Sequence, residues 1–186
     1  MRVLGISGSL RRDSYNRGLL LEAAKLFPVG TELELFDGLK AVPPYDEDDD
    51  VEEAHPGVEA LREAIARADA LLIATPEYNA SVPGQLKNAI DWASRPRGAA
   101  VLRGKPVLVI GASTGSFGGV WAQAELRKIL RTAGARVVEG ELAVPRAHAR
   151  LVEDGRLLDD ELSERLAELT EALLGEAAPR PVAVAA

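Results

Sequence analysis

A doubly wound α/β domain, one parallel sheet with helices on both faces, is the fold class this 186-residue sequence predicts. Three observations carry that prediction. Almost wholly apolar runs recur near residues 3–6, 70–75 and 106–112, as strands covered on both faces require. Amphipathic segments with a helical period separate them. The loops that follow these runs are rich in Gly, Ser and Thr, and in such sheets ligands sit outside the carboxyl ends of the strands.

In chain order, Val3, Leu4 and Ile6 make the first strand, and Leu19, Leu20, Ala23, Ala24, Leu26 and Phe27 the inward face of the first helix. Residues 31–36 alternate as a second strand. A long Pro- and acid-rich connection over 37–53 is expected to be a surface feature near a ligand. A helix with Val58, Leu61, Ile65 and Ala68 inward follows, then the third strand at 70–75. The next helix starts near Pro83, with Ser81 as its expected cap and Leu86, Ala89, Ile90 and Ala93 inward. The fourth strand is 106–112, and its helix carries Val120, Ala124, Ile129 and Leu130 with Gly134 as terminator. A fifth strand over 136–144 and a last helix bearing Leu158, Leu162, Leu166, Leu169 and Leu173 complete five strands and five helices. The expected strand order is 2-1-3-4-5 in a single domain, 1–175, with a flexible Ala/Pro-rich tail at 176–186.

The bulk composition excludes several classes. No apolar run approaches the ~20 residues of a membrane span, and the N-terminus has no signal-peptide pattern. With no Cys, the chain has no disulfide or thiolate chemistry, which points to a reducing cytoplasm. The net charge of −7 comes from one run, Asp46, Glu47, Asp48, Asp49, Asp50, Glu52 and Glu53; the remainder holds 22 basic against 22 acidic residues. A neutral remainder argues against nucleic acid as a partner. The acidic run itself reads as a solvated loop, without the Gly and spacing of a calcium site. His55 and His148 stand apart, so neither a His-centred triad nor a metal site is expected.

The chemistry concentrates in three loops. Residues 5–16, between the first strand and helix, hold two glycines, three serines, an asparagine and two arginines. Free backbone N–H groups at a helix start, a favourable dipole and cationic side chains suit a phosphate dianion. The loop lacks both the Gly-x-Gly-x-x-Gly spacing of dinucleotide folds and the Gly-Lys-Ser/Thr ending of the P-loop. A mononucleotide held by hydroxyls and amides is the economical ligand. The second loop, 75–81, and the third, 112–119, follow strands three and four. In order 2-1-3-4-5 all three ends are neighbours.

Gly8-Ser9-Leu10-Arg11-Arg12-Asp13-Ser14-Tyr15-Asn16, then Pro76-Glu77-Tyr78-Asn79 with Pro83-Gly84-Gln85-Leu86-Lys87-Asn88-Ala89-Ile90-Asp91-Trp92, then Gly118-Gly119 ahead of Gln123 and Leu126-Arg127, resemble the NAD(P)H-dependent FMN reductase family. This is the flavodoxin-like group that also contains chromate and quinone reductases. The resemblance spans about three quarters of the chain, and the second loop with its helix is its specific signature. It implies an FMN phosphate at Ser9, Arg11, Ser14 and Asn16, and an isoalloxazine ring against Pro76, Glu77, Tyr78 and Asn79, joined by Ser113 and Gly115. Short side chains and amides at 76–79 suit a ring edge that gains negative charge on reduction.

The resemblance further implies NADPH or NADH as co-substrate, a small-molecule electron acceptor (quinone, flavin, azo compound or metal oxyanion), ping-pong kinetics and a homodimer or homotetramer. The cofactor does the chemistry, so no catalytic side chain is assigned. Pro83 and Trp92 read as helix start and core packing. One departure stands out. Trp121 occupies the place where relatives resembling chromate reductases often have Arg, and it reads as core or interface; Arg127 fits an interface salt bridge or a helix-surface charge. The alternative function is a flavodoxin-type electron carrier without its own NAD(P)H turnover, the acidic run serving as its docking surface. A flavin-free regulatory domain is a third reading.

Overall fold

The structure, a computed structural model, describes residues 1–51, 54–151 and 156–178. The expected parallel sheet is present in the order β2-β1-β3-β4-β5. Its strands are β1 (Arg2–Ser7), β2 (Glu32–Leu35), β3 (Ala70–Ala74), β4 (Pro106–Ala112), β5 (Arg136–Val137) and β6 (Ala143–Val144), and its helices α1 (Tyr15–Ala24), α2 (Pro56–Arg67), α3 (Gly84–Ala93), α4 (Val120–Thr132), α5 (Ala147–Arg150) and α6 (Asp160–Ala177). Every residue of β3 and β4 is buried, which is why those segments read as continuous apolar runs.

The alternation of side chains divides the core in two. Leu4, Ile6, Leu71, Ile73, Val107 and Val109 face α2, α3 and α4. Val3, Leu72, Leu108 and Ile110 face α1 and α6, meeting Leu19, Leu20, Leu166, Leu169 and Leu173. Each fully buried Leu or Ile contributes roughly 1.5–3 kcal/mol relative to exposure.

Three expectations about elements need correction. The fifth strand is not continuous. β5 and β6 both pair with β4, at Pro106–Val107 and at Gly111–Ala112 respectively, and the chain between them leaves the ladder around Gly140, at φ +122°. Such a conformation suits glycine, and the stretch from Glu139 to Glu141 is too polar to hold a buried strand. Ser81 does not cap α3. Pro83 stands at that position, with no side-chain hydrogen bond to the helix start, and Ser81 Oγ donates to Glu125 Oε2 at 2.6 Å. The last helix begins at Asp160, capped by Asp159, whose carboxylate accepts from the Leu162 amide. Leu158 therefore lies before it and is exposed, and the short α5 intervenes unannounced.

Local caps hold the start of α1 and the end of α4, the second as expected. Ser14 caps α1, its side chain accepting from the Arg17 amide. At the end of α4, Gly134 has φ +90°, and the Gly134 and Ala135 amides donate back to Arg131 and Leu130, each at 3.0 Å, the Schellman arrangement. α6 runs through Ala177, past the expected start of the tail; residues 179–186 lie outside the described residues, as do Glu52 and Glu53 of the acidic run.

The signature helix α3 explains the long connection before α2. Gln85, Asn88 and Trp92 share one face. Gln85 Nε2 donates to the Leu39 and Val42 carbonyls, both at 2.8 Å. Asn88 takes the Tyr45 amide and gives to the Pro43 carbonyl, each at 2.7 Å, and Trp92 Nε1 gives to the same carbonyl at 2.9 Å. Tyr45 packs edge-on against Trp92 with centroids 4.9 Å apart. Nor is the acidic run wholly solvated: Asp50 pairs with Arg62 at 2.7 Å, both side chains mostly covered. The motif's polar residues are thus pins for a loop with little secondary structure of its own.

Candidate functional site

The loops after β1, β3 and β4 leave one edge of the sheet side by side, joined by backbone bonds. The Gly8 amide donates to the Ala74 carbonyl at 2.8 Å and the Thr75 amide to Ile110 at 2.9 Å. Close approach is built in at Gly8, where a Cβ would come within 2.8 Å of Leu86 Cδ2 and 3.3 Å of Pro76 Cδ.

In the first loop the hydroxyls hold one another loosely. Ser7 Oγ lies 3.4 Å from Ser14 Oγ and accepts from the Ser9 amide at 3.4 Å, while Ser9 Oγ accepts from the Arg11 amide at 3.4 Å. The Tyr15 and Asn16 amides open α1 and have no carbonyl within the helix to meet. Among the described residues neither Arg11 nor Arg12 has a carboxylate partner, whereas Arg17 is paired with Asp37. Asn16 is different from the expectation. Its side chain is buried and spends both polar ends on the backbone of Ala112, Nδ2 to the carbonyl and Oδ1 from the amide, each at 2.9 Å. That amide group clamps α1 to β4, so only the backbone N–H of Asn16 is open to a ligand at this edge.

The second loop is a tight reversal. Tyr78 and Ser81 exchange N–H···O bonds at 3.1 Å, and the two residues between them, Asn79 (φ +52°) and Ala80 (φ +60°), are both left-handed. Asn tolerates that conformation; Ala does so at a cost of about 1–2 kcal/mol. Glu77 turns away from the loop to the start of α4, where Oε2 accepts the Trp121 and Ala122 amides at 3.0 and 3.1 Å. The residue at the cap position, Gly119 at φ +82°, has no side chain to do this, so the carboxylate arrives from 44 residues upstream and meets the positive end of the helix dipole.

In the third loop Ser113 Oγ accepts from the Gly115 amide at 3.1 Å. A Cβ on Gly118 would lie 2.7 Å from the backbone of both Ala143 and Val144, packing the loop tightly on β6. Gln123 is fully buried beside it, with Nε2 at 3.5 Å from the Gly118 carbonyl and Oε1 without a protein partner among the described residues. Glu125 takes part through Ser81, at a distance along the chain that no local spacing betrays. Trp121 is not core: it is 49% exposed, edge-on to Phe117 with centroids 4.9 Å apart. Arg127 is satisfied within its own chain by Glu141 at 2.9 Å.

The ten expected site residues therefore all lie on this one edge: Ser9, Arg11, Ser14 and Asn16 at one end, Pro76, Glu77, Tyr78, Asn79, Ser113 and Gly115 at the other. Open amides, hydroxyls and two guanidinium groups without a carboxylate partner among the described residues, all at the start of α1, match the donor set a phosphate monoester needs. A groove of about 900 Å³ borders that end, walled by Arg11, Arg12, Tyr15, His148 and Leu158 among others.

A sequence model of the NADPH-dependent FMN reductase family matches residues 1–149. The chain belongs to that family. This FMN reductase-family protein is 46% identical to an NAD(P)H-dependent FMN reductase of Pseudomonas aeruginosa over 174 residues, 93% of both chains. It is 45% identical to the quinone reductase of Escherichia coli over 131 residues, 70% of this chain and 69% of that one. Among solved structures, the flavoenzyme NAD(P)H:(acceptor) oxidoreductase from Paracoccus denitrificans superposes with a TM-score of 0.81 at 34% identity, covering 95% of this chain and 96% of the other. These reductases match between 70% and 95% of the chain, which favours the enzyme over the carrier reading.

Proposed function

We propose that this reductase-family protein holds FMN across the three loops and oxidises NAD(P)H to reduce a small acceptor. The observation that carries the reading is the unspent donor set at the start of α1, on the same edge as the 76–79 turn. Arg11, with Arg12 beside it, would meet the FMN phosphate together with the hydroxyls of Ser9 and Ser14 and the amides of Tyr15 and Asn16. The backbone of Pro76, Glu77, Tyr78 and Asn79, with Ser113 and Gly115, would line the ring. FMN, when bound, supplies the hydride chemistry, taking two electrons from NAD(P)H and yielding them to the acceptor in ping-pong order.

The chain's contribution is position and charge. The Glu77 carboxylate keeps α4 and the second loop in fixed register, so that amides near the ring need no reorganisation as negative charge grows. We take the working form to be a cytoplasmic homodimer or homotetramer; among the described residues no helix is long and apolar enough to cross a membrane. The test is steady-state oxidation of NADPH and of NADH by FMN-loaded protein with menadione as acceptor. Turnover with quadratic dependence on neither substrate and parallel double-reciprocal lines is expected. Protein that binds FMN but turns over only with an added reductase would make the chain a carrier.

A further inference from the structure

The groove of about 900 Å³ at the start of α1 is larger than the phosphate end needs. Arg11 and Ser14 line it, so it opens directly from the place proposed for the flavin phosphate. Its volume is that of a whole small-molecule site, whereas a phosphate group needs only a few ordered donors. Part of its wall is apolar. Gly18 and Leu21 lie one turn apart on α1, and Ala149, Leu151 and Leu158 face them across the groove. Leu21 is 42% exposed and Leu158 54%. A single exposed leucine is ordinary, but two that line one cavity beside arginines offer a bed for a flat apolar group. The far wall is held in place: the Leu158 amide donates to the Arg150 carbonyl at 3.0 Å, Leu151 and Leu157 form an antiparallel bridge, and Arg150 is paired with Asp159. The polar wall has donors to spare. Arg17 is committed to Asp37, but the side chains of Arg12 and His148 have no hydrogen-bonding partner among the described residues. Asp13 is the one carboxylate that lines the groove among the described residues.

We propose that this groove is an adenylate subsite that takes the AMP half of FAD, so that the chain holds FAD as well as FMN on the same phosphate loop. The proposal rests on the flavin-phosphate reading of the start of α1 and extends it past the monoester. In FAD the flavin phosphate is joined to a second phosphate, a ribose and an adenine. With the first phosphate at Ser9, Arg11 and Ser14, the rest of the molecule passes into the groove. Arg12 and His148 supply donors to the second phosphate. The flat faces of adenine lie on Leu21 and Leu158, and removing those side chains from water favours binding. Asp13 accepts from a ribose hydroxyl or from the adenine amino group. FMN alone uses none of the apolar wall. A nicotinamide dinucleotide carries the same adenylate, but it must bring that group to the groove in a separate association. FAD delivers it by a covalent link to a phosphate already held, at high effective concentration.

The test measures the Kd of FMN and of FAD for the flavin-free full chain by equilibrium dialysis, in the unaltered protein and in Leu158→Glu and Ala149→Trp. Both positions are exposed, and the first change puts a carboxylate on the apolar wall while the second fills the groove. In the unaltered chain FAD is expected to bind at least as tightly as FMN, a comparison that needs no variant. Each variant should weaken FAD about 3- to 10-fold, the scale of a lost apolar contact, and leave FMN within a factor of about two. FAD that binds more weakly than FMN to the unaltered chain, or variants that do not separate the two flavins, would overturn the subsite. The KM for NADPH of FMN-loaded Leu158→Glu distinguishes the other source of an adenylate. A raised KM with unchanged FAD affinity gives the groove to the nicotinamide dinucleotide and overturns the assignment to FAD. FMN bound with FAD refused overturns the groove alone, whereas a chain that binds neither flavin loses the flavin reading as well.

Discussion

The two ends of the site are built on opposite plans. At the start of α1, donors are left unspent: the Tyr15 and Asn16 amides, the loosely held Ser9 hydroxyl, and Arg11 and Arg12, which have no carboxylate partner among the described residues. At the ring end, polar groups are spent on one another: Glu77 on the α4 amides, Ser81 on Glu125, Ser113 on Gly115. In the proposed site, an end that grips a dianion would keep its hydrogen bonds for the ligand. An end that must present backbone to a flat ring gains more from rigidity, because a misplaced amide loses its contact with the ring. The comparison predicts that changes at the ring end alter stability, whereas changes at the phosphate end alter affinity.

The largest test is Gly118→Ala. The added Cβ meets backbone of two residues at 2.7 Å, and the φ of +65° is strained for any L side chain. A loss of about 2–5 kcal/mol in unfolding free energy is expected by urea denaturation, from overpacking and left-handed backbone together. A loss under 0.5 kcal/mol would mean that the third loop is not braced on β6. Arg11→Ala comes next and should behave oppositely. FMN affinity should weaken by about 1.5–3 kcal/mol, the scale of a hydrogen bond to a charged group, with Tm of the FMN-free protein nearly unchanged. Unchanged affinity by fluorescence titration would remove the phosphate from this loop. The smallest effect is a gain: Ala80→Gly relieves a left-handed Ala and should raise stability by up to about 1 kcal/mol. No gain there would show that the turn is held by its surroundings and stores no strain.

A pH measurement offers a control from the opposite edge of the sheet. Burial lowers the pKa of Lys105, whose Nζ donates to the Ala68 carbonyl at 2.5 Å. A lowered base pKa means that the native state gives up its proton first. The native chain therefore carries a penalty at neutral pH that is relieved as pH rises from the lowered value towards the ordinary lysine value of about 10.4. Relative to Lys105→Met, the unaltered protein should gain stability over that alkaline window, without change at either end of the site.

Much of this was legible in the chain. The alternation of strands and helices followed from the apolar runs, the order 2-1-3-4-5 expected of such a fold is the observed one, and the three loops do share an edge. Ser81 is not the expected cap, and the side chains of Asn16 and Glu77 are already engaged within the chain; the three share one cause. Asn16, Glu77 and Ser81 are polar residues in ligand-facing loops, and sequence alone cannot say whether such a group is kept for a ligand or consumed by a partner 44 or 96 residues away. For Trp121, read as core or interface, the orientation of α4 removes the first alternative, since its side chain is half exposed.

What the order of residues determined by itself is the part governed by short-range periodicity: strands buried on both faces, amphipathic helices, a terminator at Gly134, and loops with too many hydroxyls to be simple turns. What only the folded arrangement decided is the accounting of polar groups across the loops. It broke the fifth strand at Gly140, gave Glu77 to the dipole of α4, fastened Asn16 to β4 and left Phe117 and Trp121 bare at the rim. Hydrogen bonds between distant segments depend on distances that no local pattern encodes, and those distances exist only once the sheet has assembled.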